Sequence, residues 1–396
     1  MKNAMPISSL ATTKGLVGGP FGSSLVGSDY ELAGVPVVRG TNLGFGKYLG
    51  GSFVYVSEEK VARDLARNTA APGDIVFTQR GTLGQVALVD DSGSSEYVVS
   101  QSQMRLRVDP EVAVAEFVYY ACSTNQFLKQ ISDNAISTGV PHINLGILGR
   151  LTVPLPSLAA QTGIVNVLGA LDDKIAANNK LITVAEELAI LLAGQIKPTV
   201  AVGDLANHLK QSVVPLLLDA SCVAHFSLPA YDIDKLPALT LPADILSSKF
   251  LIAQPSVLIS KLNPRFPRVW NVADLPIETA LASTEFLVLD PLWCSTTVLW
   301  AILSQNEFAI NLDGKAAGTS GSHQRVRPDD LLATLVGDPR QMPDGVKARI
   351  TNIGLTALER RAENRSLGAT RDALLPQLML GKLRVKDAEK TLAGVL

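Results

Sequence analysis

Two short runs, Arg39-Gly40-Thr41-Asn42 and Gln79-Arg80-Gly81-Thr82, each follow an apolar, strand-like stretch. Arg, Gln, Asn and Thr are the side chains that pair with base edges and phosphates. Arg forks onto guanine, and Gln or Asn onto adenine. A glycine beside them lets backbone approach a phosphate closely. Gln101, in Ser100-Gln101-Ser102-Gln103, and Thr138, in Ser137-Thr138-Gly139, are of the same kind, and His142 stands close by. A second set lies near the other end of the chain: Lys261, Asn263, Arg265 and Arg268, then Ser322, His323 and Arg325. Taken one at a time, each is an ordinary turn residue. Taken together at strand ends, they predict recognition of a polyanion rather than bond-making.

Signatures of catalysis are weak by comparison. Gly18-Gly19-Pro20-Phe21-Gly22-Ser23-Ser24 is glycine-rich but lacks the Gly-Lys-Ser/Thr that would hold phosphate and magnesium. Asp290-Pro291-Leu292-Trp293 lacks the second proline of the Asp-Pro-Pro-Tyr type of motif with which amino-methyltransferases hold a flipped base. Cys122, Cys222 and Cys294 are odd in number and widely spaced, which argues against a disulfide framework or a zinc knuckle. Four histidines are too scattered for a metal cluster. No catalytic residue, metal site or bound cofactor is predicted for this chain.

The elements that must position these residues follow from length and pattern. At 396 residues the chain exceeds one compact core, and 47% hydrophobic residues supply apolar material for at least two. Val213 to Phe226 is broken by Pro215 and Asp219, so no membrane span is expected and a cytoplasmic location is the default. The net charge of -2 announces no polyanion partner, so any positive field must be local. Residues 1–156 carry 12 basic and 13 acidic groups, 157–200 carry 3 and 4, 201–338 carry 9 and 14, and 339–396 carry 11 and 6. The last segment is therefore the basic one, and Arg360, Arg361 and Arg365 within it predict a partner-docking face.

Laid on itself at an offset of 181, the sequence repeats. Asp109-Pro110 falls on Asp290-Pro291, Ser123, Asn125 and Phe127 on Ser304, Asn306 and Phe308, and His142 on His323. With Ala135 on Ala316 and Thr138 on Thr319, this makes 8 identities in 34 ungapped positions, against roughly 2 by chance. Asp74 to Gln79 meets Ser256 to Lys261 at an offset of 182. A period this long means domain duplication, not a solenoid. Strands are expected at 35–39, 75–78, 85–89, 104–108, 257–261 and 286–289, and helices at 114–131 and 296–306. After Pro154 and Pro156 an apolar seam recurs in steps of 4 and 3 through Ile164, Leu168, Leu171, Ile175, Asn178, Ile182, Ala185, Ala189, Leu192 and Ile196. A helix over 161–197, about 55 Å long, is predicted, and the same phase reappears from Val346 to Leu378 with a polar middle. The layout is globular unit 1–156, long helix 157–200, globular unit 201–338, long helix and tail 339–396.

With these pieces in place the sequence resembles the specificity (S) subunits of type I restriction-modification systems. The likeness is carried by Gly19 to Ser24, by Arg39-Gly40-Thr41-Asn42-Leu43 and by Gly73-Asp74-Ile75-Val76-Phe77-Thr78-Gln79-Arg80-Gly81-Thr82. It continues through Ser137 to Asn144, Val153-Pro154-Leu155-Pro156 leading to Asp172-Asp173-Lys174-Ile175, and the closing stretch Arg371 to Val385. In the second half Pro255-Ser256 replaces Gly73-Asp74. The resemblance implies an α+β architecture: two mixed α/β target recognition domains, joined by two long antiparallel helices as a coiled-coil spacer, with internal pseudo-two-fold duplication. It implies a non-catalytic, sequence-specific subunit whose domains each read one half of a bipartite, asymmetric target in double-stranded DNA. It also implies docking of two copies of a DNA adenine-N6 methyltransferase subunit and of restriction/translocase subunits, with S-adenosylmethionine, ATP and Mg2+ bound by those partners. The competing readings are the specificity module of a methylation-only system, and a non-DNA adaptor that binds proteins along a helical spacer.

Overall fold

A computed structural model describes residues 4–44, 46–91, 93–137, 139–315 and 324–394; Thr138, Ser322 and His323 lie outside the described residues. The chain divides into two compact units, residues 1–174 with 367–396, and residues 175–366.

The first unit holds two four-stranded sheets. In one, the strands run in the order Ala11–Gly18, Gln103–Val108, Ile75–Thr78, Val86–Leu88, all antiparallel. In the other the order is Val54–Val56, Val35–Val38, Tyr97–Val99, Thr69–Ala70, with the central pair parallel. Ile75–Thr78 is buried along its whole length. That explains an apolar run without alternation, since both faces of the strand are covered.

The second unit repeats this plan strand for strand. Ala206–Leu209, Phe286–Pro291, Ser256–Ser260 and Val269–Val272 form the antiparallel sheet. Ala238–Thr240, Val223–Phe226, Thr279–Ala282 and Lys249–Leu251 form the mixed sheet, again with a parallel central pair, and Ser212–Val213 extends its edge. The expected strands at 35–39, 75–78, 85–89, 104–108, 257–261 and 286–289 all lie on observed ones. The helix expected at 114–131 is in fact two, Ala115–Cys122 and Asn125–Asn134. Thr124 makes the break: its hydroxyl accepts from the backbone N–H of Phe127 and so starts a new helix.

Each long helix runs for 36 residues, Leu158–Ala193 and Asp344–Met379, about 54 Å at 1.5 Å per residue. Ser157 opens the first by accepting from the N–H of Ala160. The helix ends at Ala193, ahead of the expected stop at Pro198, where the carbonyl of Ile190 accepts both from the N–H of Gly194 and from the Gln305 side chain. Pro198–Ala201 instead forms a strand against Leu335–Gly337.

The seam is the one the heptads mark. In the second unit Ile182 and Ala185 pack on Ala357, and Asn178, only 4% exposed, donates to Asn364 at 2.9 Å. In the first unit Arg371 pairs with Asp172 at 2.7 Å, and the same carboxylate accepts from the hydroxyl of Tyr120 at 2.6 Å. In both units residue numbers rise along one helix as they fall along the other, so the pairing is antiparallel. The polar middle of the second helix is therefore partly seam, an Asn pair of the sort that fixes register at some expense of stability.

The expectation that Arg360, Arg361 and Arg365 form an open docking face is corrected. Arg360 pairs with Glu363, and Arg361 with Glu186. Arg365 forks onto Asp234 at 2.8 and 2.9 Å and donates to the carbonyl of Pro237. These charges are paired inside the unit, that of Arg360 within its own helix and those of Arg361 and Arg365 by carboxylates distant in sequence. No helix among the described residues is long and apolar enough to cross a membrane.

Candidate nucleic-acid interface

In the first unit the loops at the ends of three strands converge. The Val35–Val38 strand passes through Arg39 into a single 3-10 turn, Gly40–Asn42. Asn42 is fully buried: its carbonyl oxygen accepts from the N–H of Arg39 at 3.0 Å, and its amide donates to the carbonyls of Gly50 and Ser52 at 3.0 and 3.1 Å. Asn42 is thus corrected from a reading residue to the residue that shapes the loop. Thr41 and Gly40 are exposed beside it. Arg39 is half-buried, and its Nε has no hydrogen-bond partner.

The Ile75–Thr78 strand leads to Gln79 and Arg80, whose N–H groups share the carbonyl of Ser102 at 2.7 and 3.3 Å. The carbonyl of Gln79 accepts from Ile143, and the N–H of Gly81 reaches the carbonyl of Pro141. Arg80 and His142 form a β-bridge, as do Ile136 and His142. The ring Nδ1 of His142 lies 3.2 Å from the carbonyl of Val140. Arg80 and Thr82 are exposed. Gly81 has φ +102, with no heavy atom within 4 Å of where a Cβ would stand. A glycine is needed there for its conformation, and open space lies in front of it.

Behind this surface the N–H of Ser100 donates to the carbonyl of Val38 at 3.0 Å, tying the two strand ends together. A Cβ on Gly19 would stand 1.9 Å from the carbonyl of Ser100, so the glycine-rich run serves close packing of backbone. Gln101 donates to the carbonyls of Gly22 and Leu25 at 2.8 and 2.9 Å, which spends its amide nitrogen on the neighbouring loop. Its neighbour Gln103, buried and bonded to the Ser100 hydroxyl, leaves its Nε2 without a partner. That residue sat inside a run singled out from the sequence, but nothing in its type distinguished it from Gln101.

The second unit builds the same junction. Lys261 donates from its N–H to the carbonyl of Glu285 and accepts from that of Val326, while Asn263 donates to the carbonyl of Gln324. Leu262 and Arg325 form the bridge corresponding to Arg80 and His142. Asn263 holds φ +51, and its buried Oδ1 has no partner. Arg265 and Phe266 are exposed, with the guanidinium 6.0 Å from the ring centroid. Two expected contacts are corrected here. Arg268 forks onto Asp232 at 2.7 and 2.9 Å, and Arg325 onto Glu285 at 2.9 and 3.2 Å. Hydrogen bonding from Arg325 holds the Glu285 carboxyl below its ordinary range. These two cations are neutralised, so the second junction is the less positive one.

Residues 41–187 match the model of the type I restriction modification DNA specificity domain. The specificity subunit of the type I restriction enzyme MjaIX of Methanocaldococcus jannaschii is 23% identical over 146 residues, 35% of this chain and 33% of that protein. That of the HindI enzyme of Haemophilus influenzae is 25% identical over 150 residues, 36% of this chain and 32% of its own length. The matched segments thus span about a third of these curated relatives. A crystal structure of the type I restriction-modification S subunit of M. genitalium superposes with a TM-score of 0.56 at 15% identity, covering 95% of both chains, and shows a shared fold. Residues 41–187 thus match the DNA specificity domain of type I restriction-modification systems, and the chain as a whole shares the fold of an S subunit of such a system.

Proposed function

We propose that this chain is the DNA-reading subunit of such a system, each unit's loop junction reading one half of a bipartite, asymmetric target. The observation that carries the reading is the junction built twice, at Arg80 with His142 and at Leu262 with Arg325, with cationic and amide side chains at both. Arg39, Thr41, Gln79, Arg80 and Thr82 serve the first half-site, and Lys261, Asn263 and Arg265 the second. The long helices are the spacer. The chain contributes no chemistry of its own: two adenine-N6 methyltransferase subunits bring S-adenosylmethionine, and restriction/translocase subunits bring ATP and Mg2+.

For partner docking the first helix offers a better face than the arginines. Leu181, Val184, Leu188 and Leu191 recur at heptad spacing and stay 43–63% exposed, off the seam. Such a stripe matches an amphipathic helix of a partner subunit. Leu188→Glu with Leu191→Glu is expected to abolish co-purification of the methyltransferase subunit while circular dichroism and the melting curve stay unchanged. Full co-purification would place docking elsewhere.

The DNA reading is tested by methylome sequencing of cells that express the methyltransferase subunit with and without this chain. One split adenine motif is expected, present only with the chain. Arg80→Ala is expected to lose about 1–3 kcal/mol of discrimination at one half-site alone, read as relaxed methylation there and an unaltered second half. Equal loss at both halves would make Arg80 a structural residue.

A further inference from the structure

A cleft of ≈ 660 Å³ opens in the first unit where the strands Ala11–Gly18 and Gln103–Val108 meet the segment 66–69. Its polar lining is Thr12, Thr13, Lys14, Arg67, Thr69, Arg105 and Arg107, without a carboxylate on its wall. Arg107 forks onto Asp74 at 2.8 and 2.7 Å. Asp74 also accepts from the N–H of Ala71, so its capacity is largely taken.

Arg105 is the anomaly. It is 6% exposed, lies 3.7 Å from the Asp74 carboxylate that already serves Arg107, and reaches the carbonyl of Lys14 at 3.4 Å. Its Nε has no partner at all. Two guanidinium groups thus share one carboxylate, and a buried net positive charge faces the cleft; burying such a charge without a counter-ion is costly. Burial, aided by the charge of Arg107, lowers the pKa of Arg105 against the opposing pull of Asp74. The ammonium of Lys14 and the guanidinium of Arg67 stand exposed at the rim with no ion pair among the described residues. Lys14 holds φ +61, a conformation disfavoured for a side-chain-bearing residue and recurrent where a backbone clamps a ligand.

The second unit supplies an internal control. By strand register Val76 opposes Arg105, and its counterpart Leu258 opposes Val288, so a fully buried valine occupies the place of Arg105. Continuing that register two residues puts Asp290, which the offset of 181 matched to Asp109, in the place of Arg107. The basic cleft is therefore a property of one copy of the duplicated fold and not a requirement of its architecture.

We propose that this cleft is a phosphoryl-anion subsite, with Arg105 as its buried donor, Lys14 and Arg67 as its mobile-armed cations and the hydroxyls of Thr12 and Thr13 as further donors. Two sources share this chemistry, a backbone phosphate of duplex DNA and a free phosphate. The first rests on the DNA-reading function above. It suits the architecture, because the strand Gln103–Val108 that carries Arg105 pairs with Ile75–Thr78, the strand that leads to Gln79 and Arg80. The base-reading junction and the cleft would then engage one duplex.

The test uses the full chain and two probes, a random-sequence 40-base-pair duplex (about 14 nm at 3.4 Å per step) and inorganic pyrophosphate. The variant is Lys14→Gln with Arg67→Gln, both exposed and outside the base-reading junction; Arg105→Val, which copies the second unit, is the companion. For a backbone phosphate, the double variant should bind every duplex more weakly by the same factor. The slope of log K against log salt should become shallower by about 1 to 2. For a free phosphate, pyrophosphate should raise the melting temperature of the wild type and not of the variant, with the DNA slope unchanged. Either result supports the subsite. An unchanged slope together with no pyrophosphate shift in the wild type overturns it. Should the wild type bind no duplex, the DNA reading fails, and the pyrophosphate arm alone decides the cleft: a shift supports it, no shift overturns it.

Discussion

Arg361→Glu is expected to cost about 3–5 kcal/mol of stability, read as a fall in the urea midpoint. Arg361 is 13% exposed and ends on Glu186, itself 22% exposed, which also accepts from Lys235 at 2.9 Å. Burial raises the pKa of Glu186, but Lys235 and Arg361 more than reverse this and hold it below the ordinary carboxylate range. A carboxyl depressed in the folded state contributes stability that is complete above its unfolded value, about 4.3, and is lost as pH falls through the folded value. The wild type should therefore lose this contribution only in acid. In the variant two carboxylates face one another, so the deficit should be greatest at neutral pH and shrink as acid protonates them. A variant as stable as the wild type at pH 7 would restore Arg361 to the surface as a charge free for a partner.

A heptad inserted between Lys174 and Ile175, matched by one between Ser366 and Leu367, is expected to move the two half-sites apart without altering either. Both insertions fall where the compact units divide, inside the two long helices. Seven residues lengthen each helix by about 10 Å, roughly three base pairs at 3.4 Å, and keep the seam in phase. Methylome sequencing should show the same two half-sites separated by about three more base pairs. One insertion alone should abolish methylation, because the other helix cannot follow. An unaltered motif in the double variant would remove the spacer role from the helices.

The long helices were legible because their signal is periodic: positions in steps of 4 and 3 mark one face, and Ile164, Leu168, Leu171, Asn178, Ile182, Ala185 and Ala189 on it are buried. Their ends were less legible. The first helix stops at Ala193, close to where Gln305, 115 residues away, reaches the carbonyl of Ile190, a neighbour that no local residue announces. Strands with a continuous apolar run, such as Ile75–Thr78, were visible, whereas Tyr97–Val99 was not. A three-residue strand has too little pattern of its own and exists because Val35–Val38 and Thr69–Ala70 flank it.

The sequence by itself determined the duplication, the two helical spacers and the placing of polar residues at strand ends, since these are properties of periodicity and local turn chemistry. Which of those residues stay available was decided only by the tertiary structure. Asn42 and Gln101 are the same kinds of residue as Gln79, yet their amides hold loops. Arg268 and Arg325 look like Arg80, yet each meets a carboxylate, Asp232 or Glu285, lying 36 or 40 residues away in the chain. Arg105 reads as a strand residue until folding buries it against a carboxylate already taken by Arg107. A charge or an amide is free to bind when nothing in its folded surroundings has claimed it, and those surroundings are assembled from segments whose proximity no local pattern encodes.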